Sequence, residues 1–241
     1  MSFFFSYKGG ITLNIGIVFA MDEELKAFEK YFESLNQTKL NNLVVYDVKH
    51  KNNHLYFIRC GVGKVNAAYA TTKLIEHVQL DCLFNSGVAG GLQAVHGGLV
   101  LGKHIVHHDF DVTAFSEYVR GQVPGLPLRF KADESLLNHA MRILKDRPYT
   151  VGTIASGDQF IVAQDPLRPI INVYNDIVAI EMESAAIAQV ATLENIPFLI
   201  VRAISDIIGE DAQSDNFSSF LKHASEVSAE LLFKMVDTPW R

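Results

Sequence analysis

The sequence predicts a three-layer α/β/α fold, in which helices cover both faces of a central mixed, mostly parallel twisted sheet. Apolar runs of strand length alternate with longer segments whose apolar residues recur at helical spacing. One early pair of strands is separated only by a short polar turn, which adds antiparallel pairing. Because 49% of the 241 residues are hydrophobic, we expect one domain over residues 1–241 with a large core.

The first part of the chain supplies a buried strand, a hairpin and two helices. Residues 13–20 form an almost uninterrupted apolar run, which is typical of a strand covered on both faces. The acidic residues at 22–24 favour the start of a helix. Residues 44–48 and 55–60 flank the polar turn of the hairpin, and helical spacing predicts a second helix at 65–78.

The second part alternates strands and helices regularly. Residues 82–86 predict a buried strand that ends in a glycine-rich turn at 87–91. Apolar runs predict four further strands, at 100–107, 151–155, 177–180 and 198–204. Helix formers follow at 184–193, and a terminal helix is expected at 217–236.

Composition argues against several classes of function. The net charge is −6 and no Lys/Arg cluster stands out, which disfavours nucleic acid and anionic membranes as partners. No apolar stretch approaches the roughly 20 residues that a membrane span needs. The short apolar run within residues 1–12 does not fit a signal peptide, so we expect an N-terminal tail on a cytoplasmic protein. Cys60 and Cys82 lie in apolar stretches and are expected to be buried thiols.

Charged residues cluster where the predicted strands end. The first strand leads to Glu24, and a later strand leads to Glu181 and Glu183. The last strand contains Arg202 and leads to Asp206. Each carboxylate alone could cap or start a helix, but a buried arginine needs an acidic partner or a ligand. Because the carboxyl ends of parallel strands meet at one edge, we expect these groups to converge around a small polar ligand.

Two other motifs point to no particular chemistry. The glycines at 87–91 match neither a phosphate-binding loop nor a dinucleotide fingerprint, and they can serve either ligand approach or helix packing. His107, His108, Asp109 and Asp111 could be taken for a metal site. Neighbouring side chains of a strand face opposite ways, so these four should not converge. We expect no metal and no cofactor.

Seven segments, taken together, resemble the 5′-methylthioadenosine/S-adenosylhomocysteine nucleosidase family. They occur in the family's order and are IGIVFAMDEE, GVGKVNAA, NSGVAGGL, DVTAF, ASGDQFI, AIEMESAAIA and VRAISD. The resemblance implies a nucleoside phosphorylase-like fold, a homodimer, and hydrolysis of the bond between adenine and ribose in both nucleosides. The wider superfamily also contains purine nucleoside phosphorylases, but the MDEE and EMES segments favour the hydrolases.

The resemblance also implies residue roles. Glu24 would activate water, Asp206 would protonate N7 of adenine, and Glu183 would accept hydrogen bonds from the ribose hydroxyls. The other residues implied to form the substrate site are Met21, Val62, Val88, Phe160, Ile161, Glu181, Met182, Arg202, Ser205 and Phe217. Among these, Arg202 is expected to support the polar cluster. Phe115 and Pro124 are implied to cross the dimer interface and close a neighbour's pocket.

Three features depart from the family pattern. Val88 stands where well-known bacterial members carry a serine, so a hydroxyl near the water and ribose is missing. The segments 115–124 and 206–217 are each about one residue longer than the common pattern.

The predicted chemistry explains why these residue types are needed. Adenine leaves poorly unless N7 is protonated, which requires an acid that still carries a proton near neutral pH. A second carboxylate must act on water at the opposite face of the ribose. Met21, Val62, Met182 and Phe217 suit a thioether at the 5′ position.

Three alternatives remain open. A phosphorylase would use phosphate in place of water, although the carboxylate of Glu24 would repel phosphate. A related hydrolase could act on futalosine or 5′-deoxyadenosine. A non-catalytic protein on the same fold could bind or store nucleosides.

Overall fold

The computed structural model describes residues 12–92, 95–210 and 213–239, so residues 1–11 of the predicted tail lie outside the described part. The described strands are β1 (Asn14–Phe19), β2 (Asn36–Leu40), β3 (Leu43–His50), β4 (Asn53–Arg59), β5 (Cys82–Gly91), β6 (Leu99–His107), β7 (Phe130–Lys131), β8 (Tyr149–Ser156), β9 (Ile177–Glu181) and β10 (Phe198–Ile207). The described helices are α1 (Asp22–Glu29), α2 (Lys64–His77), α3 (Glu134–Ile143), α4 (Arg168–Ile171), α5 (Ser184–Leu193) and α6 (Gln213–Asp237).

These strands form one mixed sheet with a parallel centre. β1 lies between β4 and β5 and runs parallel to both, and β10 runs parallel to β5. β2, β3 and β4 extend the sheet as an antiparallel meander. Beyond β5 the sheet closes on itself, because β5, β10, β6, β8 and β9 pair in a ring. The α/β fold with a mixed sheet is confirmed, whereas apolar runs alone did not predict the ring.

Helices and sheet together enclose the core. α6 packs on β5 and β10 and also contacts α1 and α3, while α2 packs against α5. Ile15, Ile17 and Val18 of β1 have no exposed surface, as expected of a strand covered on both faces. Cys60 and Cys82 are both buried, as expected. No helix in the described ranges has the length and apolar character that crossing a bilayer requires.

β5 continues through the segment that the sequence analysis placed in a turn at 87–91. That prediction was wrong, because the segment pairs with β9 and β10 as part of the strand. A Cβ on Gly87 would collide with the carboxylate of Glu24, and one on Gly90 would lie 3.1 Å from Oδ2 of Asp206. The glycines therefore allow two side chains to approach the strand closely, which a turn does not explain.

Sequence analysis missed β2 and α3 for different reasons. β2 is a mostly exposed edge strand, so it has no apolar run to detect. α3 begins after Asp133, whose Oδ1 accepts hydrogen bonds from the backbone N–H groups of Ser135 and Leu136 at 2.9 and 3.0 Å. This N-cap was a readable signal that periodicity alone did not use.

Candidate active site

A cavity of about 250 Å³ lies at the edge of the sheet where β1, β5, β9 and β10 end. Its wall is mostly apolar and carries a few convergent carboxylates, the usual composition of a small-molecule site. The predicted site residues that line it are Met21, Glu24, Val62, Val88, Phe160, Ile161, Glu181, Met182, Glu183, Ser205, Asp206 and Phe217. Arg202, Phe115 and Pro124 do not line it.

Six further lining residues were not predicted. They are Ala20, Ala89, Gly90, Gln159, Ile180 and Ile208. Ile180 ends an apolar run that predicts a buried strand, and Ile180 and Ile208 both belong to a small core cluster together with Ile161. The same side chains therefore pack the protein and face the cavity, so no sequence signal separates the two roles.

Glu24 is held at the cavity by backbone donors from the turn after β1 and from β5. Its Oε2 accepts hydrogen bonds from the N–H groups of Ala20 at 2.8 Å and Met21 at 3.0 Å. Its Oε1 accepts one from the N–H of Val88 at 3.1 Å. Burial raises the pKa of Glu24, although the charge of Arg202 and the three N–H donors oppose the rise. A buried, oriented carboxylate with a raised pKa suits a general base.

Asp206 reaches the cavity through an irregularity in β10. The register of β10 on β5 shifts between Ile204 and Asp206, and such a bulge redirects side chains. Ser205 and Asp206 therefore both line the cavity, although neighbouring strand residues normally face opposite sides. Asp206 is buried, and its Oδ1 accepts a hydrogen bond from Oγ of Ser205 at 2.6 Å.

Glu183 is a third buried carboxylate at the cavity. It accepts a hydrogen bond from the N–H of Gly63 at 2.8 Å, just before α2. Burial, together with the negative charge of Glu181, raises the pKa of Glu183 to about 8. Glu183 is therefore mostly protonated at neutral pH.

Replacing Glu183 with glutamine is expected to increase the free energy of unfolding near pH 8. The pKa of Glu183 is about 8 in the folded chain, against 4.5 for an ordinary glutamate. Between these values the unfolded chain loses the proton and the folded chain keeps it. The native residue therefore lowers stability by about 1.4 kcal/mol per pH unit across that window, with no further loss above it.

Urea unfolding at pH 5 and pH 8 measures this effect, because glutamine has no proton to lose. The advantage of Glu183→Gln over the native protein should be larger at pH 8 than at pH 5. Glu23→Gln, at an exposed position of the same chemical type, is the matched control. An equal difference at both pH values would contradict the assigned titration.

Arg202 and Glu181 form a buried ion pair behind the cavity wall. Nη2 of Arg202 lies 2.6 Å from Oε2 of Glu181, and both side chains are almost fully enclosed. The same nitrogen donates to Oγ of Ser184 at 2.8 Å and to Oδ1 of Asn85. Burial alone would raise the pKa of Glu181, but the Arg202 charge and a hydrogen bond from Ser156 lower it overall. Arg202 was included among the substrate-binding residues, but it does not line the cavity. It contacts Glu181 instead, behind the cavity wall.

Aromatic and apolar side chains cover the rest of the site. The rings of Phe160 and Phe217 meet edge to face with centroids 5.5 Å apart. Phe160 is about half exposed, at 48%, so its ring is available to a flat ligand. Met21, Val62 and Met182 line the cavity as well.

The histidine and aspartate residues at 107–111 lie outside the cavity. Nε2 of His107 lies 2.9 Å from Oε1 of Gln189, and Asp109 pairs with Lys64 at 2.6 Å. Among the residues that the structure describes, no group of three His, Cys, Asp or Glu side chains is arranged to hold a metal ion.

The ring-closed mixed sheet and its carboxylate-lined cavity define a class of protein, the phosphorylase superfamily. The sequence model of a protein family described as Phosphorylase superfamily matches residues 14–237 of this chain. Within it, the chain belongs to the 5′-methylthioadenosine/S-adenosylhomocysteine nucleosidase family. The nucleosidase of that name from Anoxybacillus flavithermus is 39% identical over 232 residues, which cover 93% of this chain and 98% of the relative.

Solved structures of similar proteins have the same fold. The S-adenosylhomocysteine nucleosidase from Streptococcus pyogenes, in complex with 5-methylthiotubericidin, has a TM-score of 0.89 and 32% identity, covering 94% of this chain and 97% of that one. The Neisseria meningitidis nucleosidase, in complex with methylthio-immucillin-A, has a TM-score of 0.88 and 34% identity, covering 93% and 98%.

Proposed function

We propose that this chain hydrolyses the bond between adenine and ribose in 5′-methylthioadenosine and S-adenosylhomocysteine, releasing adenine and the 5-thioribose product. The observation that carries the proposal is the convergence of Glu24, Glu183 and Asp206 on one mostly apolar cavity. The ligands bound to the Streptococcus and Neisseria relatives, 5-methylthiotubericidin and methylthio-immucillin-A, support this substrate class. A similar protein from Borrelia burgdorferi is bound to adenine.

The proposed reaction divides acid and base work between two carboxyl groups. The C1′–N9 bond breaks with its electron pair moving to the purine, and Asp206 gives its proton to N7. Water adds its oxygen to C1′ from the opposite face of the ribose, and Glu24 takes the proton that this water loses. One proton leaves Asp206 and one reaches Glu24, so the overall reaction consumes only water.

The raised pKa of Glu24 supports its role as base, because it binds a proton more tightly than an ordinary carboxylate. Glu183 would accept hydrogen bonds from the 2′- and 3′-hydroxyls, and in its ionised form it would favour the cationic sugar. Glu181 is paired with Arg202, so Glu183 is the one of these two carboxylates that is available to the ribose hydroxyls.

The apolar wall supports a thioether at the 5′ position. Met21, Val62, Met182 and Phe217 offer no charged partner, and a thioether needs none. Phe160 would stack on adenine, and the backbone of Ile161 would contact the edge of the base. Val88 contributes its N–H to Glu24 but no hydroxyl, so its side chain adds no hydrogen bond near the proposed water and ribose.

Adenine release from a panel of 5′-modified adenosines, with and without phosphate, tests the proposal. We expect release from 5′-methylthioadenosine and S-adenosylhomocysteine at full rate in phosphate-free buffer. A strict need for phosphate would identify a phosphorylase, and binding without release would identify a nucleoside-binding protein. Faster release from futalosine or 5′-deoxyadenosine would move the substrate preference to a related hydrolase.

We also propose a homodimer in which Phe115 and Pro124 of each subunit close the cavity of the other. Phe115 is 61% exposed, so its ring is available to contact a second subunit.

Phe115→Glu is expected to weaken the dimer and raise KM for 5′-methylthioadenosine about tenfold or more, because a charge would replace an apolar contact. Light scattering gives the mass and steady-state kinetics give KM. Val151→Glu, at an exposed apolar position near the opposite end of the sheet, is the matched control. An unchanged mass and KM in Phe115→Glu would reject the assigned interface residue.

The remaining expectations concern organisation and setting. A match that extends over residues 14–237 supports a single nucleosidase domain. We propose a cytoplasmic enzyme of methionine salvage that uses neither metal nor cofactor, because water and side-chain carboxyl groups supply the whole reaction.

A further inference from the structure

The start of α6 places the side chain of Gln213 next to Asp206, the proposed acid. Sequence analysis did not single out this residue. Gln213 is 4% exposed, and its Nε2 donates hydrogen bonds to Oδ2 of Asp206 at 2.6 Å and to the backbone oxygen of Ile161 at 2.8 Å. Its Oε1 accepts from the N–H of Gly209 at 3.3 Å. Asp206 and Ile161 line the cavity and Gln213 does not, so its carboxamide lies behind both.

We propose that Gln213 is a positioning residue for the acid step. It holds Asp206 and the Ile161 carbonyl in one fixed arrangement, and it stabilises the carboxylate that remains after the proton reaches the purine. The inference rests on the proposed function, because it requires Asp206 to act as the acid.

The two hydrogen bonds donated by the side-chain amide of Gln213 support this assignment. A primary amide nitrogen has two hydrogens, and both find an acceptor here, so the amide is oriented by Asp206 and Ile161 together. The two acceptors belong to β10 and to the loop after β8. Gln213 therefore joins the group that protonates the purine to the group that would recognise the purine edge.

Electrostatics assign the direction of the effect. Oδ1 of Asp206 accepts from Oγ of Ser205 at 2.6 Å, so each carboxyl oxygen faces a donor. Both donors are therefore placed to stabilise the negative charge that develops on the carboxyl group as its proton moves to N7. Gln213 therefore assists the acid at the moment when negative charge develops on it. Removing one such charge-assisted bond corresponds to about a 10- to 100-fold loss of rate.

A pair of substrates separates this role from simple packing. The first is 5′-methylthioadenosine, whose purine needs protonation to leave. The second is the 4-nitrophenyl glycoside of 5-methylthioribose, whose leaving group departs as an anion without an acid. Gln213→Leu keeps the volume and removes both donors, and Gln213→Glu keeps the shape and replaces the donor nitrogen by an acceptor.

Both variants should lower kcat on 5′-methylthioadenosine by about 10- to 100-fold. On the nitrophenyl glycoside they should stay within about threefold of the native enzyme. Ser205→Ala removes the other donor to Asp206 and should give the same pattern. Gln79→Leu, at an exposed glutamine after α2, is the matched control and should change neither substrate.

Equal losses on both substrates would overturn the proposal, because a general structural defect does not depend on the leaving group. Unchanged kcat on 5′-methylthioadenosine would overturn it as well. If Gln213→Leu fails to fold, Gln213→Glu and Ser205→Ala decide between the same outcomes. Absence of adenine release by the native enzyme would instead reject the proposed function itself.

Discussion

Replacement of Asp206 with asparagine is expected to lower kcat on 5′-methylthioadenosine by about 10²–10⁴-fold, the usual contribution of a positioned acid. Asparagine matches the carboxyl group in shape, and its amide can still bond to Ser205 and Gln213. It has no proton to give to N7, so adenine would have to leave as an anion. The loss should fall in kcat, and 5′-methylthioadenosine should still bind.

Adenine release under saturating substrate measures the effect, and a melting curve verifies that the fold is kept. Asp146→Asn makes the same chemical change at a side chain that is 86% exposed, and it should leave kcat unchanged. Activity of Asp206→Asn within tenfold of the native enzyme would exclude Asp206 as the acid.

Replacing Arg202 with methionine is expected to lower the free energy of unfolding by about 3–5 kcal/mol, because it leaves a buried carboxylate without its counter-charge. Arg202 is 1% exposed and pairs with Glu181 at 2.6 Å. Its guanidinium also satisfies Asn85 and Ser184, so several buried polar groups lose a partner at once.

Urea unfolding of three variants, each compared with the native protein, tests this prediction. The double variant Arg202→Met with Glu181→Gln removes both charges and should recover part of the loss. Arg120→Met breaks a partly exposed ion pair with Asp111 and should cost no more than about 1 kcal/mol. A loss of similar size in Arg202→Met and Arg120→Met would mean that burial does not strengthen the Arg202 pair.

Sequence reasoning located the carboxylates because their positions follow from a general rule. Glu24, Glu183 and Asp206 each follow or end a predicted strand, and strand ends of an α/β sheet meet at one edge. The helix predicted at 184–193 coincides with α5, since helix formers there are bounded by a strand and a polar turn. Local patterns of this kind are readable from a single sequence.

The features that sequence reasoning missed depend on contacts between distant segments. Gln213 lies 52 residues from Ile161, and nothing in its neighbourhood marks it as a partner of the loop after β8. The glycines of β5 suggested a turn because their close neighbours, Glu24 and Asp206, are far away in the chain. Arg202 was expected to support the polar cluster, but the sequence alone did not identify its partners Glu181 and Asn85.

The last strand of the chain, β10, both closes the ring of strands and carries a residue of the proposed active site. β10 is hydrogen-bonded to β5 on one side and to β6 on the other, so it completes the circle that the earlier strands leave open. β10 also carries the proposed acid. A nascent chain that has emerged only as far as α5 therefore exposes two unsatisfied strand edges and lacks its proton donor. The final strand therefore supplies the proposed acid in the same step that protects those edges from other chains.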